Sequence, residues 1–571
     1  MAYFLKKTNL KKGLYLQIYE SFYDPVKKNT AHRSFCSLGY LDDLIRSGIA
    51  DPISHYSQEV KQLNAEKKSK KLADELKVID DSPIRYLGYF PIKNILDGLA
   101  VSKHIDLLQF NRSFKFSLYD IMEALIYSRC VKPCSKYKTF HEVIPYLYGI
   151  SPDFSYDQLL SALALLGNEY EKIVEIFTSR VSSRYGTFTS TTYFDCTNFY
   201  FEIDKENAFQ KKGPSKENKT DPIIGLGLLL DADLIPIGMN LYPGNQSEKP
   251  VLRNVITALK QQNNINGRTV QVADKGLNCA ANIYAARKNK DGYIFSKSVK
   301  TLSEKELKWV LNENNVYTSV FDSDNELKYK YTTAVDSFKY EFTDTDGKKK
   351  SFTVKEKRIL TFNPSLCEKH RYELRKMLEK AKTLKACHAK KSEYGESSKY
   401  VKFLSSDKNG NATDEKIIVE INMKKYEKDY ALAGFNMLVT SEIAMDNEEI
   451  YNVYHNLWRI EQSFRIMKSE LDARPVFCQN ENTIKGHFLI CYLSVLLTRI
   501  LEFKVLKNKI CASKLYEFIH SYAVLKETDS RYINISSSTP TITYLAETFK
   551  LPLRNFYLTT EQIKMMLNQV I

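Results

Sequence analysis

Between Thr191 and Ser298 the sequence carries a pattern that few architectures accept. Thr191–Ile203, Pro222–Asp231 and Ile235–Tyr242 read as three consecutive strands, rich in β-branched, aromatic and long apolar residues. The third ends in the turn Pro243-Gly244-Asn245. A helix-like segment, Pro250–Gln261, precedes a short strand at Thr269–Ala273. A second helix-like segment, Cys279–Arg287, precedes a strand at Gly292–Ser298. Three meandering strands followed by helix and strand in alternation imply a mixed α/β sheet.

The remainder must be arranged around that sheet. A chain of 571 residues exceeds one ordinary core of about 100–200 residues. Residues 1–57 alternate like short strands and form a small N-terminal β-containing unit. Residues 58–185 read as mostly helical, with apolar positions at three-and-four spacing in Ile92–Leu99, Leu118–Tyr127 and Leu159–Phe177. Residues 186–299 hold the first part of the sheet. Residues 300–430 are basic and strand-rich, interrupted by a Lys-rich helix at Glu368–Lys385. Residues 431–505 return to the sheet with a strand at Gly434–Thr440 and a long helix at Asp446–Leu471. Residues 506–571 read as a C-terminal helical region, beginning with a helix at Ser513–Val524.

Lys plus Arg is 83 against 68 for Asp plus Glu, a formal net charge of +15, which favours a polyanionic partner, nucleic acid before membrane. The most apolar run, Phe488–Leu497, is shorter than the roughly 20 residues a membrane span needs and is closed by Arg499. Lys6 and Lys7 break up any secretory signal at the start. Ten cysteines in this length fall below disulfide-scaffold density, as expected of a reducing cytoplasm. Cys130, Cys134 and His141, and likewise Cys367, His370, Cys387 and His388, lack the paired C-x2-C spacing of a zinc site. Buried, reduced thiols are the simpler reading.

Two aspartates occupy places from which a sheet delivers reactive groups. Asp195 lies inside a strand, Tyr193-Phe194-Asp195-Cys196-Thr197, where a charge is costly to bury unless paired or bound to metal. Asp274 follows Val270 and Val272 and precedes Lys275-Gly276, at the carboxyl end of its strand, where open α/β sheets place ligands. Each alone also suits an ordinary cap or turn. On the long helix, at about 100° per residue, Tyr454, Trp458, Glu461, Arg465 and Lys468 share a stripe roughly 80° wide. Leu457, Ile460 and Phe464 form the adjoining apolar stripe, expected to face the sheet. An i,i+4 ion pair between Glu461 and Arg465 is the ordinary alternative. Together the three acids suit Mg²⁺ or Mn²⁺, hard cations that prefer carboxylate oxygens. Arg465 and Lys468 would hold a phosphate backbone. Tyr454 and Trp458 offer faces for an unstacked base, although support of the helix by packing is the expected role of Trp458.

The order Asp195, Asp274, Glu461 resembles the ribonuclease-H-like core of DDE transposases. The helix resembles the signature of bacterial insertion-sequence transposases of the family-four superfamily: Tyr, two residues, Arg, three residues, Glu, six residues, Lys. Tyr454, Glu461 and Lys468 fit, while Leu457 stands in the Arg position and Arg465 is the candidate substitute. Further similarity lies in Ser215-Lys216, Tyr242-Pro243-Gly244-Asn245, Asp274-Lys275-Gly276, Arg474-Pro475-Val476 and Gly486-His487-Phe488. The resemblance implies a strand-rich insertion before the catalytic Glu, two divalent ions held by Asp195, Asp274 and Glu461, and cleavage at the ends of an element with transfer into target DNA. It also implies double-stranded DNA as partner, a homodimer in the synaptic complex and a cytoplasmic, nucleoid-associated location in a prokaryote. End recognition is expected within residues 1–185, chiefly the helical part. The basic loop Lys211-Lys212-Gly213-Pro214-Ser215-Lys216 is either a phosphate contact, through Lys216, or a solvated charge run. Asp231 and Asp233, flanking Ala232, belong to turn chemistry. A related metal-dependent nuclease and an inactive, transposase-derived DNA-binding protein remain the alternatives.

Overall fold

The computed structural model describes residues 2–24, 29–75, 84–110, 112, 114–203, 205–213, 221–262, 265, 267–344, 346–386, 391–404, 418–528 and 530–570. The chain divides into two compact units, Met1–Ser82 and Pro83–Ile571. In the first, Tyr3–Leu10, Gly13–Asp24 and Asn29–Tyr40 form an antiparallel three-stranded sheet in the order of the chain. The helix Pro52–Glu75 belongs to this unit, so the expected boundary after residue 57 falls inside it. Asn64 on that helix exchanges hydrogen bonds with the Tyr3 backbone at 2.7 and 2.8 Å. Lys67, one turn on, pairs with Glu20 at 2.6 Å.

The second unit is built on a nine-stranded mixed sheet. Its strands are β1 (Thr191–Tyr200), β2 (Ile223–Leu230), β3 (Pro236–Pro243), β4 (Val270–Ala273), β5 (Gly292–Lys297), β6 (Thr318–Phe321), β7 (Leu327–Thr343), β8 (Lys349–Phe362) and β9 (Phe435–Thr440). The order across the sheet is β6-β7-β8-β9-β5-β4-β1-β2-β3. β1, β2 and β3 form an antiparallel meander, and β1, β4 and β5 run parallel. This half, 3-2-1-4-5, is the ribonuclease-H-like arrangement expected from the sequence. The strand-rich insertion extends the same sheet, because β8 pairs antiparallel with β9 and β9 with β5. Within the insertion, β7 is one strand of 17 residues, held in register by β8 from Lys330 to Thr343.

Alternation along each strand separates two cores. Tyr193 and Phe199 of β1, with Val270 and Val272 of β4, face the larger one. Phe194, Cys196 and Ala273 face the smaller one, under the helices Lys249–Gln261 and Ala280–Lys288. The larger core is formed with α1 (Leu118–Val131), α2 (Tyr156–Asn168), α3 (Asn447–His455), α4 (Trp458–Arg465) and α5 (Glu481–Arg499). α2 and α5 cross at two glycines. A Cβ on Gly167 would sit 1.7 Å from the Asn482 carbonyl, and one on Gly486 would sit 2.1 Å from that of Leu163. The Gly486-His487-Phe488 motif therefore begins with a residue that must lack a side chain.

Two helices depart from expectation. The long helix Asp446–Leu471 is three pieces: α3, α4 and a π-helical turn, Ile466–Glu470. At the first junction the amides of Leu457, Arg459 and Ile460 bond carbonyls three residues back, tightening the chain into a turn. The helix expected over Ser513–Val524 spans Ala512–Ser521. Ala523–Lys526 instead forms a strand, pairing with Ile84–Tyr86 and Arg531–Asn534; with Tyr557–Thr559 these make a four-stranded antiparallel sheet. The backbone pairing available there outweighs the helical periodicity of so short a segment. No described helix is long and apolar enough to cross a membrane.

Candidate active site

Strand register brings two of the three acids together. Phe194 of β1 is in register with Ala273 of β4, in parallel. The next residues, Asp195 and Asp274, therefore lie side by side, about one strand spacing of 4.8 Å apart. Alternation turns both toward the larger core, where α3 and α4 pack. Asp195 is half-buried, and its Oδ1 accepts the amide of Cys196 at 2.7 Å. Asp274, also half-buried, stands just past the end of its strand, before the exposed Lys275-Gly276.

Tyr454 joins them from α3, its hydroxyl donating to Asp274 Oδ1 at 3.2 Å. Burial, then the negative charge of Asp274, then that of Asp195, pushes its pKa far up. The hydroxyl therefore keeps its proton and remains a donor at neutral pH. Ser296, at the end of β5, is a second partner of this hydroxyl and also donates to Asn436 Oδ1 at 3.1 Å. No sequence signal singled out Ser296; register alone puts it beside the aspartates.

Glu461 is exposed on α4, while Ile460 and Phe464 beside it are buried in the larger core as the apolar stripe requires. Among the described residues no three or more His, Cys, Asp or Glu side chains are grouped to hold a metal ion. The pair itself is a hard-oxygen donor set. Two adjacent carboxylates repel one another unless a positive charge lies between them, and Tyr454 supplies only a neutral donor. Mg²⁺, which uses one or two carboxylates and completes its shell with water and substrate phosphate, fits such a pair.

The other expected residues lie on the helix motif and beside the later part of β1. Lys468, on the π-helical turn, places its ammonium 5.4 Å from the Phe199 ring, on the same strand face as Asp195. Arg474 stacks at 5.2 Å over Tyr200, the next residue of β1. Arg465 is exposed. Trp458 is 44% exposed, with the Arg459 guanidinium 4.0 Å over its ring, so core packing does not account for it. Leu457, in the motif's Arg position, packs against the larger core. Lys216 lies outside the described residues. The start of the basic loop is fixed: Lys211 bridges Ile223, and a Cβ on Gly213 would sit 2.0 Å from the Gly244 carbonyl. Asp231 accepts the amides of Ile235 at 2.9 Å and Phe188 at 3.4 Å, as turn chemistry requires, and Asp233 pairs with Lys504.

Sequence reasoning missed the device that holds α4. Arg499, 1% exposed at the end of α5, donates to Ser463 Oγ at 3.1 Å and to the Arg459 carbonyl at 3.3 Å. It also pairs with Glu502, 2% exposed, whose other oxygen accepts the Ala512 amide at 3.2 Å. The signal was present as the lone cation closing the apolar run.

Residues 187–497 match the family described as "Transposase DDE domain". Among solved structures, the chain is loosely similar to a piggyBac transposase in a synaptic complex with hairpin DNA, at 9% identity and TM-score 0.35, over 85% of each chain. No curated protein matches it.

Proposed function

This chain belongs to the family of transposases with a DDE domain, and from that premise we propose that it cleaves DNA at the ends of an insertion sequence and joins those ends to target DNA. Water attacks a phosphodiester at the end of the element and gives up a proton; the P–O3′ bond breaks, leaving a 5′-phosphate, and the departing 3′-oxygen takes up a proton to become a hydroxyl. The freed 3′-hydroxyl then attacks a phosphodiester of the target, displacing one target hydroxyl for each bond formed. The observation that carries this reading is the register pair Asp195 and Asp274, turned toward the helix motif and bridged to it by the Tyr454 hydroxyl.

Asp195 and Asp274 would hold Mg²⁺ or Mn²⁺, with Glu461 completing the set for a second ion once DNA is bound. When bound, such ions supply Lewis-acid stabilisation of attacking and leaving oxygens. Tyr454 keeps Asp274 oriented through a hydrogen bond to an ionised group. Lys468, Arg465 and Lys216 would contact the phosphate backbone, and exposed Trp458 would offer its face to a base. Juxtaposing two element ends calls for a homodimer in the synaptic complex.

The test is cleavage of an end-labelled terminal-repeat duplex by the purified full chain with Mg²⁺. Asp195→Ala, Asp274→Ala and Glu461→Ala should each abolish cleavage while leaving duplex binding in place. Cleavage surviving all three would sink the assignment. Binding without cleavage by the unaltered chain, in Mg²⁺ and in Mn²⁺, would favour a transposase-derived DNA-binding protein.

A further inference from the structure

A second polar site lies beyond the end of β1. Arg129 of α1, Lys136, Arg474 and His487 of α5 line a cavity of about 250 Å³, with Asp472 exposed at its margin and Phe477, 69% exposed, beside it. Three of the four are buried: Arg129 is 5% exposed, Lys136 8% and His487 4%. Buried cations are ordinarily paired with carboxylates. Here the described partners are different. Arg129 donates to the carbonyls of Leu471 at 3.2 Å and Cys134 at 3.1 Å. Lys136 meets only His487, its Nζ 3.2 Å from Nδ1.

The histidine explains how the lysine is held. His487 Nε2 is 3.0 Å from the Ala473 carbonyl, which can only accept, so the ring carries its proton on Nε2. Burial first, then the charges of Lys136 and Arg129, keeps the ring neutral. Nδ1 is left as an acceptor, and it takes one of the three ammonium hydrogens of Lys136. The other two have no described partner. Burial lowers the Lys136 ammonium to about 8, as expected for a cation without a counter-charge. An anion in the cavity would reverse that shift.

We propose that this cavity is a phosphate-binding site, in which Lys136 and Arg474 hold the phosphate oxygens, Arg129 supplies field, and His487 fixes the lysine. Two or three cations against one exposed carboxylate, around a cavity large enough for a phosphate and part of its sugar, select a phosphate over a larger acidic ligand. The shared chemistry could come from a DNA backbone phosphate or from free phosphate. Arg474 sits over Tyr200, at the end of the strand that also carries Asp195, which favours a DNA backbone phosphate as the source. The DNA source rests on the transposase reading above; the phosphate class does not.

The experiment has two arms, both on the full chain. In the first, duplex affinity is measured against salt for the unaltered chain, Lys136→Gln and Arg474→Gln. Loss of a backbone contact should lower the magnitude of the log–log salt slope by about 0.9 and weaken binding roughly tenfold at low salt. In the second, inorganic phosphate is titrated against thermal unfolding; a midpoint raised in the unaltered chain and not in Lys136→Gln identifies a phosphate guest. A changed slope assigns DNA as the source, and a phosphate response with unchanged slopes assigns free phosphate. Unchanged slopes with no phosphate response in any variant would overturn the site. Lys136→Gln removes a buried charge and should fold; half-buried Arg474→Gln gives an independent reading. Failure of the unaltered chain to cleave, with slopes shifted as expected, would refute the transposase chemistry and leave the cavity standing.

Discussion

Arg499 should control both the stability of the larger unit and the placement of the helix that carries Glu461. Replacing it with Met keeps most of the side-chain volume but leaves Glu502, 2% exposed, as a buried carboxylate whose described partner is the Ala512 amide. Removing one partner of a buried ion pair costs about 3–5 kcal/mol. Much of that is the penalty on the surviving charge, so Arg499→Met with Glu502→Gln should recover more than half of it. The two hydrogen bonds to α4, to Ser463 and the Arg459 carbonyl, are lost in both variants at roughly 0.5–1.5 kcal/mol each. Thermal unfolding measures the cost, and amide hydrogen exchange over Trp458–Arg465 measures the loosening of α4. An unchanged midpoint with unchanged protection in that helix would refute the role given to Arg499. A double variant no better than the single one would refute the stranded-charge account.

The remaining predictions are smaller. Tyr454→Phe removes a hydrogen bond to an ionised carboxylate, worth about 1.5–3 kcal/mol, so cleavage should slow by roughly 10- to 100-fold with duplex binding retained; a rate within twofold of the unaltered chain would show that Asp274 needs no such support. Burial raises the Asp231 carboxyl to about 6, so stability through this group is full below its ordinary value of 3.8 and falls as pH rises through 6. In Asp231→Asn that component should vanish from a plot of unfolding midpoint against pH, and a parallel pair of curves would count against the assignment.

The meander, the alternating helices and the strands from Thr191 to Lys297 were legible in the sequence because each is a local pattern of side chains and turns. The apolar stripe Leu457, Ile460, Phe464 was legible for the same reason: helical geometry alone fixes which residues share a face. Leu457, where the family motif has Arg, was visible as a departure, and it packs half-buried against the larger core. The pairing of Asp195 with Asp274 needed the parallel register of β1 and β4, a choice between distant segments that neither strand encodes alone. The break at Asn456–Leu457 was hidden because a turn tightened to i−3 bonding keeps the composition of a helix.

What the sequence by itself determined was the kind of sheet and three acids with a reason to meet on it. What only the tertiary structure decided was how they are carried: register sets Asp195 beside Asp274, and Glu461 rides on a helix fixed by Arg499 from another segment. The same holds for Lys136, Arg474 and His487, which come from separate segments, since the burial of Lys136 against a neutral histidine is a property of packing. Local periodicity is written residue by residue, whereas the partners of a buried charge come from chain segments that meet only after folding.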